Sequence, residues 1–217
     1  MRSSSGTAGG VEMGEQLKIW MSEFGKSWTE RNLIDWRKRL PAFRDMLRLL
    51  PVKRVLEVGC NRGHNLIALA ELLGEESELV GVEPNRYALE LARASSVKIG
   101  VLWSHVFDLP FRDGYFDLVF TAGVLIHIPL TDLPAALAEI VRVSKRYILA
   151  IEYFAEEETA IPYRGYDNLL WKRNFLKHYQ RQFPELCLVR SGYWGPEHGF
   201  DGTHWWLLEK PFAGERE

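Results

Sequence analysis

The residues best suited to chemistry in this chain are a glycine-bearing turn and a carboxylate about twenty residues after it. The turn follows the apolar run Arg54–Val58 and contains Gly59 and Gly63, which can adopt backbone angles closed to other residues and let a ligand approach the main chain. Glu83 follows a second apolar run, and its two oxygens can accept hydrogen bonds from both hydroxyls of a ribose. This pattern predicts a site for an adenosine-type cofactor.

Two other kinds of nucleotide site fit this turn less well. A phosphate-binding loop has the pattern GxxxxGK[ST], and no Lys-Ser or Lys-Thr pair follows the turn. The dinucleotide pattern GxGxxG would have a glycine where this chain has Asn61, although Asn tolerates positive φ better than most residues. Hydrolysis of a nucleoside triphosphate is therefore disfavoured, and a nicotinamide-dependent oxidoreductase is the weaker alternative.

The motif Glu57-x-Gly59-x-Asn61-x-Gly63 resembles the E-x-G-x-G-x-G cofactor loop of class I S-adenosylmethionine-dependent methyltransferases. Further segments resemble that superfamily in the same order along the chain, namely Asp108–Phe111 and Tyr115–Ile128. The resemblance covers residues 52–210 and implies a Rossmann-like, doubly wound α/β sheet of seven strands, mostly parallel with an antiparallel C-terminal hairpin. It also implies S-adenosylmethionine as the cofactor and S-adenosylhomocysteine as the product.

Four segments resemble a narrower family, the pseudaminic-acid-biosynthesis-associated methylases. They are Phe24–Asn32, Pro162–Gly165, Trp171–Phe175 and Asp201–Lys210. Members of that family lie among sugar and surface-glycan genes. The resemblance therefore implies methyl transfer to an oxygen or nitrogen atom of a small polar metabolite, such as a sugar or a sugar-derived compound.

The superfamily resemblance also implies which residues bind the cofactor. Asp108 would accept a hydrogen bond from the adenine amine, Arg31 would pair with the cofactor carboxylate, and Trp28 is either a wall of the site or a core residue. A solvated loop acid is the alternative for Asp108. The predicted cofactor-binding residues are Trp28, Arg31, Asn32, Glu57, Gly59, Cys60, Asn61, Gly63, Glu83, Pro84, Asn85, Phe107, Asp108, Leu109, Ala122 and Gly123.

The predicted catalytic residues follow later strands, because ligands of open α/β sheets lie beyond the carboxyl ends of the strands. His127 can take a proton from a hydroxyl or amine that attacks the methyl group, or it only packs beside the cofactor. Glu152, Tyr153 and Tyr163, with the neighbouring Arg164, suit a polar, hydroxylated or anionic substrate, or else form a surface network. The segment 201–206, which includes His204, is a candidate for a further wall.

Composition limits the classes of protein and partner. The 27 basic and 29 acidic residues give a net charge of -2 without a Lys/Arg-rich block, which disfavours nucleic acid as a substrate. There is no signal-peptide pattern and no apolar run of about 18 residues, so we expect a cytoplasmic protein without a membrane partner. The two cysteines have no metal-ligand spacing, so we expect neither metal nor disulfide.

The chain reads as one methyltransferase domain in residues 13–217, after a disordered segment 1–12, and as a monomer or homodimer acting on a small molecule. A helical cap is predicted for residues 13–50 and a Rossmann-like core for residues 51–210. Predicted strands are Arg54–Val58, Leu79–Val82, Val101–Phe107, Phe116–Thr121, Tyr147–Tyr153, Leu186–Tyr193 and His204–Glu209. Predicted core helices are Gly63–Leu73, Asn85–Ala94, Asp132–Val143 with Thr131 as N-cap, and Tyr166–Phe183.

Two further alternatives stay open on sequence alone. One is a cofactor-binding partner or sensor protein with little catalytic activity, since the residues that would face the methyl group are the least specific part of the pattern. The other is a methyltransferase that acts on a nucleic acid.

Overall fold

A seven-stranded sheet forms the centre of the structure, a computed structural model that describes residues 14–95 and 98–211. The strand order is β3-β2-β1-β4-β5-β9-β8, in which β9 is antiparallel to both of its neighbours and the first five strands are parallel. These strands are β1 Arg54–Val58, β2 Glu78–Val82, β3 Gly100–Leu102, β4 Phe116–Ala122, β5 Ser144–Glu152, β8 Cys187–Trp194 and β9 Thr203–Glu209, and a separate pair is β6 Thr159–Ala160 and β7 Trp171–Lys172.

Helices cover both faces of the sheet. Within the described ranges, none of them is long and apolar enough to cross a bilayer. The α-helices are α1 Glu15–Met21, α2 Glu23–Arg31, α3 Leu40–Met46, α4 His64–Leu73, α5 Arg86–Ser95, α6 Leu133–Val143 and α7 Phe175–Gln182, and short 3₁₀ turns are Trp36–Arg39, Leu125–His127 and Pro196–His198.

The central strands are apolar because both of their faces are buried. Along β1, Leu56 packs in the core on the side of α6 and α7, whereas Val55 packs in the core on the side of α3 and α4. In β4, Val119 packs in the core on the side of α6 and α7, and Leu118 packs in the core on the side of α3 and α4. The two cores hold β1, β2 and β4 in place as neighbouring parallel strands, so their carboxyl ends lie side by side. The predicted site lies at these ends.

The cap consists of two short helices, α1 and α2, which are separated by Ser22. The backbone of Ser22 is extended, with ψ -170°. The Ser22 side chain accepts a hydrogen bond from the Phe24 amide, so Ser22 acts as the N-cap of α2. The two helices meet closely at Gly25, where an added Cβ would lie 1.9 Å from the Trp20 carbonyl oxygen. A glycine is therefore required at this crossing.

The structure corrects the predicted third strand. Only Gly100–Leu102 forms β3, and Phe107 lies in the loop that follows. The chain turns back on itself in this loop, because the Asp108 amide donates to the His105 carbonyl at 3.2 Å and the Ser104 hydroxyl donates to the Asp108 carbonyl at 2.5 Å.

The predicted helix Tyr166–Phe183 is wrong in its first half. Residues 159–172 instead contain the β6–β7 pair and a turn in which the amide and carbonyl of Tyr163 exchange hydrogen bonds with those of Tyr166. The helix begins after Asn174, whose side chain accepts from the Lys177 amide at 3.2 Å. Thr131 is likewise not an N-cap, because α6 starts after Asp132 and Thr131 donates to the Asp132 carboxylate.

The fold prediction is confirmed, including the antiparallel hairpin at a sheet edge. Both cysteines are free, with Cys60 buried and Cys187 exposed. The prediction for residues 1–12 lies outside the described part of the chain. The single-domain assignment stays a prediction.

Candidate cofactor and acceptor site

The turn after β1 has a left-handed backbone at three positions. The φ angles are 75° at Gly59, 46° at Asn61 and 75° at Gly63. Asn61 therefore takes the conformation that a glycine would take in the motif, as Asn can. At Gly59 an added Cβ would lie 2.6 Å from a methyl carbon of Val124, so the turn passes directly beneath the segment that leaves β4.

The carboxylate of Glu83, just after β2, is buried beside this turn. One oxygen accepts from the Asn61 amide at 2.9 Å and the other from the Asn85 amide at 2.8 Å. Burial raises the pKa of Glu83 to about 7, against the opposing effect of these two hydrogen bonds. Each oxygen keeps acceptor capacity for a ligand hydroxyl, since a carboxylate has about four lone-pair sites.

The side chains of the same two asparagines hold the cap helices over the turn. Asn61 Nδ2 donates to Thr29 Oγ1 at 2.7 Å, and Thr29 Oγ1 donates in turn to the Gly25 carbonyl at 2.9 Å. Asn85 Nδ2 donates to the carbonyls of Trp20 at 2.8 Å and Ser22 at 3.1 Å. The carboxylate of Glu83 and the cap are thereby parts of one hydrogen-bonded network.

The first cavity lies between this network and the cap. It contains about 890 Å³ of space, part of which is open to solvent. Glu83 and Asn85 line it on one side, Val106 and Phe107 on another, and Trp20 of α1 covers it. Most of its wall is apolar, as is typical of small-molecule sites.

A chain of polar side chains lies behind the turn. Arg39 donates to Asn65 Oδ1 at 2.5 Å, and Asn65 Nδ2 donates to Glu57 Oε1 at 2.6 Å. The other oxygen of Glu57 is buried and has no hydrogen-bond partner within the described residues. Burial raises the pKa of Glu57 to about 8. A buried acceptor without a partner is costly, so this oxygen is suited to receive a ligand donor.

A second, larger and more polar cavity lies on the other side of the turn. Glu57, Asn61 and their neighbours in the turn line it, together with residues of four distant segments. These include Arg31 and Asn32 at the C-terminal end of α2, Tyr163 and Arg164 of the β6–β7 connection, Tyr153 after β5, and Asp201 before β9.

The two cavities meet beneath Trp28. The residues that line both are Trp28, Gly59, Asn61, Ala122, Gly123 and His127. A ligand that filled the first cavity would thus present one end to a second ligand in the larger cavity. This arrangement suits transfer of a group from one bound molecule to another.

His127, in the 3₁₀ turn after β4, is the titratable group at this junction. Its Nδ1 lies 2.6 Å from the Leu169 carbonyl oxygen, which can only accept, so Nδ1 carries the proton and Nε2 carries the lone pair. Burial lowers the pKa of His127 to about 4. The imidazole is therefore neutral at physiological pH and can accept a proton.

Aromatic and phenolic groups surround His127. Its ring centroid lies 4.4 Å from that of Trp20 and 5.7 Å from that of Tyr163. The indole nitrogen of Trp28 donates to the Tyr163 hydroxyl at 3.0 Å, which ties the cap to the loop on the far side of the cavity. Tyr153 donates to Asp201 at 2.6 Å, and burial together with this hydrogen bond raises the pKa of the Tyr153 phenol.

Four of the predicted site residues line neither cavity. Glu152 lies fully buried under the turn that carries His127, where its carboxylate accepts from the amides of residues 124–126 at 3.2–3.3 Å. Gly63 is the buried residue before α4, Asp108 is exposed, and Leu109 packs in the core. In this structure Glu152 thus contacts the turn that carries His127, and its catalytic role stays a prediction.

The other predicted residues divide between the two cavities. Pro84, Asn85, Glu83 and Phe107 line the first, whereas Arg31, Asn32, Glu57, Cys60, Tyr153 and Tyr163 line the second, and the shared residues line both. Sequence reasoning missed Trp20, Gly25 and Val106 in the first cavity, and Arg39, Arg62 and Asn65 in the second. Gly25, Val106 and Arg62 lie inside segments that the sequence singles out, namely Phe24–Asn32, Val101–Phe107 and the turn from Gly59 to Gly63.

Known proteins resemble the chain in this region. A family of methyltransferase domains matches residues 55–146. An uncharacterised methyltransferase of Schizosaccharomyces pombe is 35% identical over 103 residues, which are 42% of this chain and 36% of that protein. A demethylmenaquinone methyltransferase of Staphylococcus aureus is 32% identical over 113 residues, 51% of this chain and 45% of that protein. The chain thus spans less than half the length of these two relatives.

Solved methyltransferase structures share the fold at low sequence identity. The magnesium protoporphyrin IX methyltransferase of Synechocystis, solved with S-adenosylhomocysteine, has a TM-score of 0.66 at 14% identity. The alignment covers 89% of this chain and 97% of that protein. The 1,6-didemethyltoxoflavin N1-methyltransferase of Burkholderia thailandensis, solved with 1,6-didemethyltoxoflavin and S-adenosylhomocysteine, has a TM-score of 0.64 at 16% identity. The alignment covers 90% of this chain and 86% of that protein.

The matched segment and the fold agree with each other. Residues 55–146 match a family of methyltransferase domains, and the chain has the Rossmann-like fold that solved methyltransferase structures share. The predicted fold is confirmed, and the family match supports the predicted enzyme class and cofactor. The acceptor and the roles of single residues are subjects of the proposals that follow.

Proposed function

We propose that the chain is an S-adenosylmethionine-dependent methyltransferase that acts on an oxygen or nitrogen atom of a small polar metabolite, a sugar or sugar-derived compound. The observation that carries this proposal is the meeting of the two cavities. The apolar cavity with a buried carboxylate shares Gly123 and His127 as wall residues with a larger polar cavity. One cavity then suits the cofactor and the other suits the acceptor.

The first cavity and the polar end of the second fit the parts of S-adenosylmethionine. Glu83 would accept from the ribose hydroxyls, and Val106 and Phe107 would pack against the adenine. The unpartnered oxygen of Glu57 would accept from the ammonium group, and Arg31 would pair with the carboxylate. When bound, the cofactor supplies an electrophilic methyl group on a sulfonium centre.

His127 would act as the base for the acceptor. Its Nδ1 hydrogen bond to the Leu169 carbonyl fixes the tautomer, so Nε2 is free to take the proton of an acceptor hydroxyl or amine. The buried carboxylate of Glu152 holds the turn that carries His127, through the amides of residues 124–126. Glu152 is thus proposed as a positioning residue.

The walls of the second cavity support a polar acceptor. Tyr153 and Tyr163 present phenol groups, Asn32 an amide and Asp201 a carboxylate. Such groups can donate to and accept from several hydroxyls at once, as recognition of a sugar requires. The narrower sequence resemblance to methylases found among sugar genes supports the same choice, whereas several relatives are named for menaquinone or sterol substrates. The sugar assignment therefore rests on the polar walls and on that resemblance.

A comparison of acceptor classes tests this proposal. The protein would be incubated with S-adenosylmethionine and pools of sugars, amino sugars, quinols and RNA, and product masses would be measured by mass spectrometry. We expect methylation only in the sugar-containing pools, and none with a Glu83→Ala variant, which controls for contaminating enzymes. Methylation confined to the quinol or RNA pool would contradict the proposed acceptor class.

A further inference from the structure

The second cavity contains more positive charge than the cofactor needs. Arg31, Arg62 and Arg164 line it, and none of them forms an ion pair with an acidic side chain within residues 14–95 and 98–211. The Nε of Arg62 is a buried atom with no hydrogen-bond partner among those residues. A buried guanidinium nitrogen without an acceptor is costly, so an acceptor from a ligand would be favourable at this position.

The acidic residues of the cavity do not offset this charge. Asp201 accepts from the Tyr153 hydroxyl and not from an arginine. Glu57 lies behind the turn, where it is bonded to Asn65, and burial raises its pKa to about 8. The pKa of His64, which also lines the cavity, is lowered chiefly by burial and further by the charges of Arg62 and Arg39. The His64 imidazole therefore experiences a positive local field.

The cofactor adds to the positive charge rather than removing it. S-adenosylmethionine has a sulfonium, an ammonium and one carboxylate, so it brings a net positive charge to the junction of the two cavities. Its single carboxylate can occupy one arginine, which we assign to Arg31. Arg62 and Arg164 then face the remaining space of the second cavity without an anionic partner.

We propose, on the basis of the proposed methyltransferase function, that the acceptor carries a carboxylate or phosphate group, which Arg62 and Arg164 bind in the second cavity. Arg62 belongs to the turn after β1. Arg164 belongs to the turn closed by Tyr163 and Tyr166, where its backbone has φ 51°. Two guanidinium groups that line one cavity can each form paired hydrogen bonds with a carboxylate or phosphate. The anion would fix the acceptor relative to His127.

Arginine side-chain NMR tests this inference directly. Protein labelled with ¹⁵N and saturated with S-adenosylhomocysteine would be titrated separately with inorganic phosphate and with citrate at constant ionic strength, and the Nε–Hε signals would be followed. We expect saturable shifts of the Arg62 and Arg164 signals with at least one of the two anions. The two titrations distinguish a preference for phosphate from a preference for carboxylate.

A matched pair of double variants completes the test. Arg62→Gln with Arg164→Gln should weaken anion binding at least tenfold, whereas Arg44→Gln with Arg181→Gln, which removes two exposed arginines elsewhere, should leave it unchanged. Anion binding that is absent, or equal in both double variants, would overturn the inference. S-adenosylhomocysteine affinity, measured separately by calorimetry, tests the proposed function. If that ligand does not bind, the same anion titrations of the free protein still decide the inference.

Discussion

The two cavities that meet at Gly123 are built from different parts of the chain. The first is formed mainly by the turn after β1, the end of β2 and the cap, and its polar network uses main-chain amides of Asn61 and Asn85. The second is formed by side chains from distant segments, such as Arg31, Tyr163 and Asp201. A site made of backbone turns tolerates much sequence change, whereas a site made of side chains changes with each substitution. This difference supports the proposal that the first cavity binds the nucleoside part of the cofactor and that the second determines the choice of acceptor.

The substitution His127→Ala should have the largest effect and should distinguish catalysis from cofactor binding. It should lower turnover and leave cofactor affinity unchanged. Loss of a positioned base lowers a rate by about 10²–10⁴-fold. The measurement is single-turnover methylation with an acceptor identified by the screen above, beside calorimetry with S-adenosylhomocysteine. His178→Ala, on α7, is the matched control and should leave both values unchanged. Full activity of the His127 variant would show that this residue only packs at the junction.

Glu83→Ala should have the opposite pattern, since it changes only the first cavity. Loss of its hydrogen bonds to a ribose should weaken S-adenosylhomocysteine binding by about 1–3 kcal/mol, or roughly 5–150-fold. Calorimetry measures the affinity, and thermal unfolding checks that the turn still folds. Glu76→Ala, which removes an exposed carboxylate paired only with Lys53, should bind as the wild type does. Equal affinities of the Glu83→Ala and Glu76→Ala variants would show that Glu83 does not bind the cofactor.

Asn61→Gly tests whether the cap belongs to the first cavity. Glycine keeps the φ of 46° but loses the hydrogen bond to Thr29, so cofactor affinity should fall by about 2–10-fold and amide exchange in α1 and α2 should become faster. Thr29→Val removes the same hydrogen bond from the other side. The double variant should then be little weaker than either single variant. Additive losses would show that the two residues act independently.

The smallest expected effect is on the pH dependence of stability, and it comes from Glu152, which lies under the turn that carries His127. Burial raises the pKa of Glu152 to about 7 from its usual 4.5, so its protonated form is favoured in the folded state. Its contribution to stability is thus fully present below about pH 4.5 and is lost as the pH rises through 7. Thermal unfolding between pH 5 and pH 8 should show a smaller decline for Glu152→Gln than for the wild type. Parallel pH profiles would contradict this burial effect.

The sequence predicted the parts of the molecule that local pattern determines. The apolar strands β1, β4 and β5 and the left-handed turn from Gly59 to Gly63 follow from hydrophobic runs and glycine spacing, which are local properties. The pairing of Ala160 with Trp171 was not predictable, because it depends on contacts between residues that are separated along the chain.

The same reason explains which site residues were found and which were missed. Glu83 was predictable because its distance from the turn is set by one helix and one strand. The location of Arg62 and Arg39 beside the second cavity depends on side-chain directions that spacing does not give. Glu152 was placed correctly at the end of β5, but its burial under the His127 turn depends on a contact 26–28 residues distant in sequence.

Calorimetric titration of the protein with S-adenosylmethionine, S-adenosylhomocysteine and NAD, side by side, shows which cofactor the site binds. We expect saturable binding of the first two ligands at one site, with about micromolar affinity, a free energy near -8 kcal/mol. We expect no binding of NAD, because Asn61 takes the place of a glycine in the dinucleotide pattern and its side chain is bonded to the cap. Binding of NAD, or of none of the three ligands, would contradict the proposed S-adenosylmethionine site.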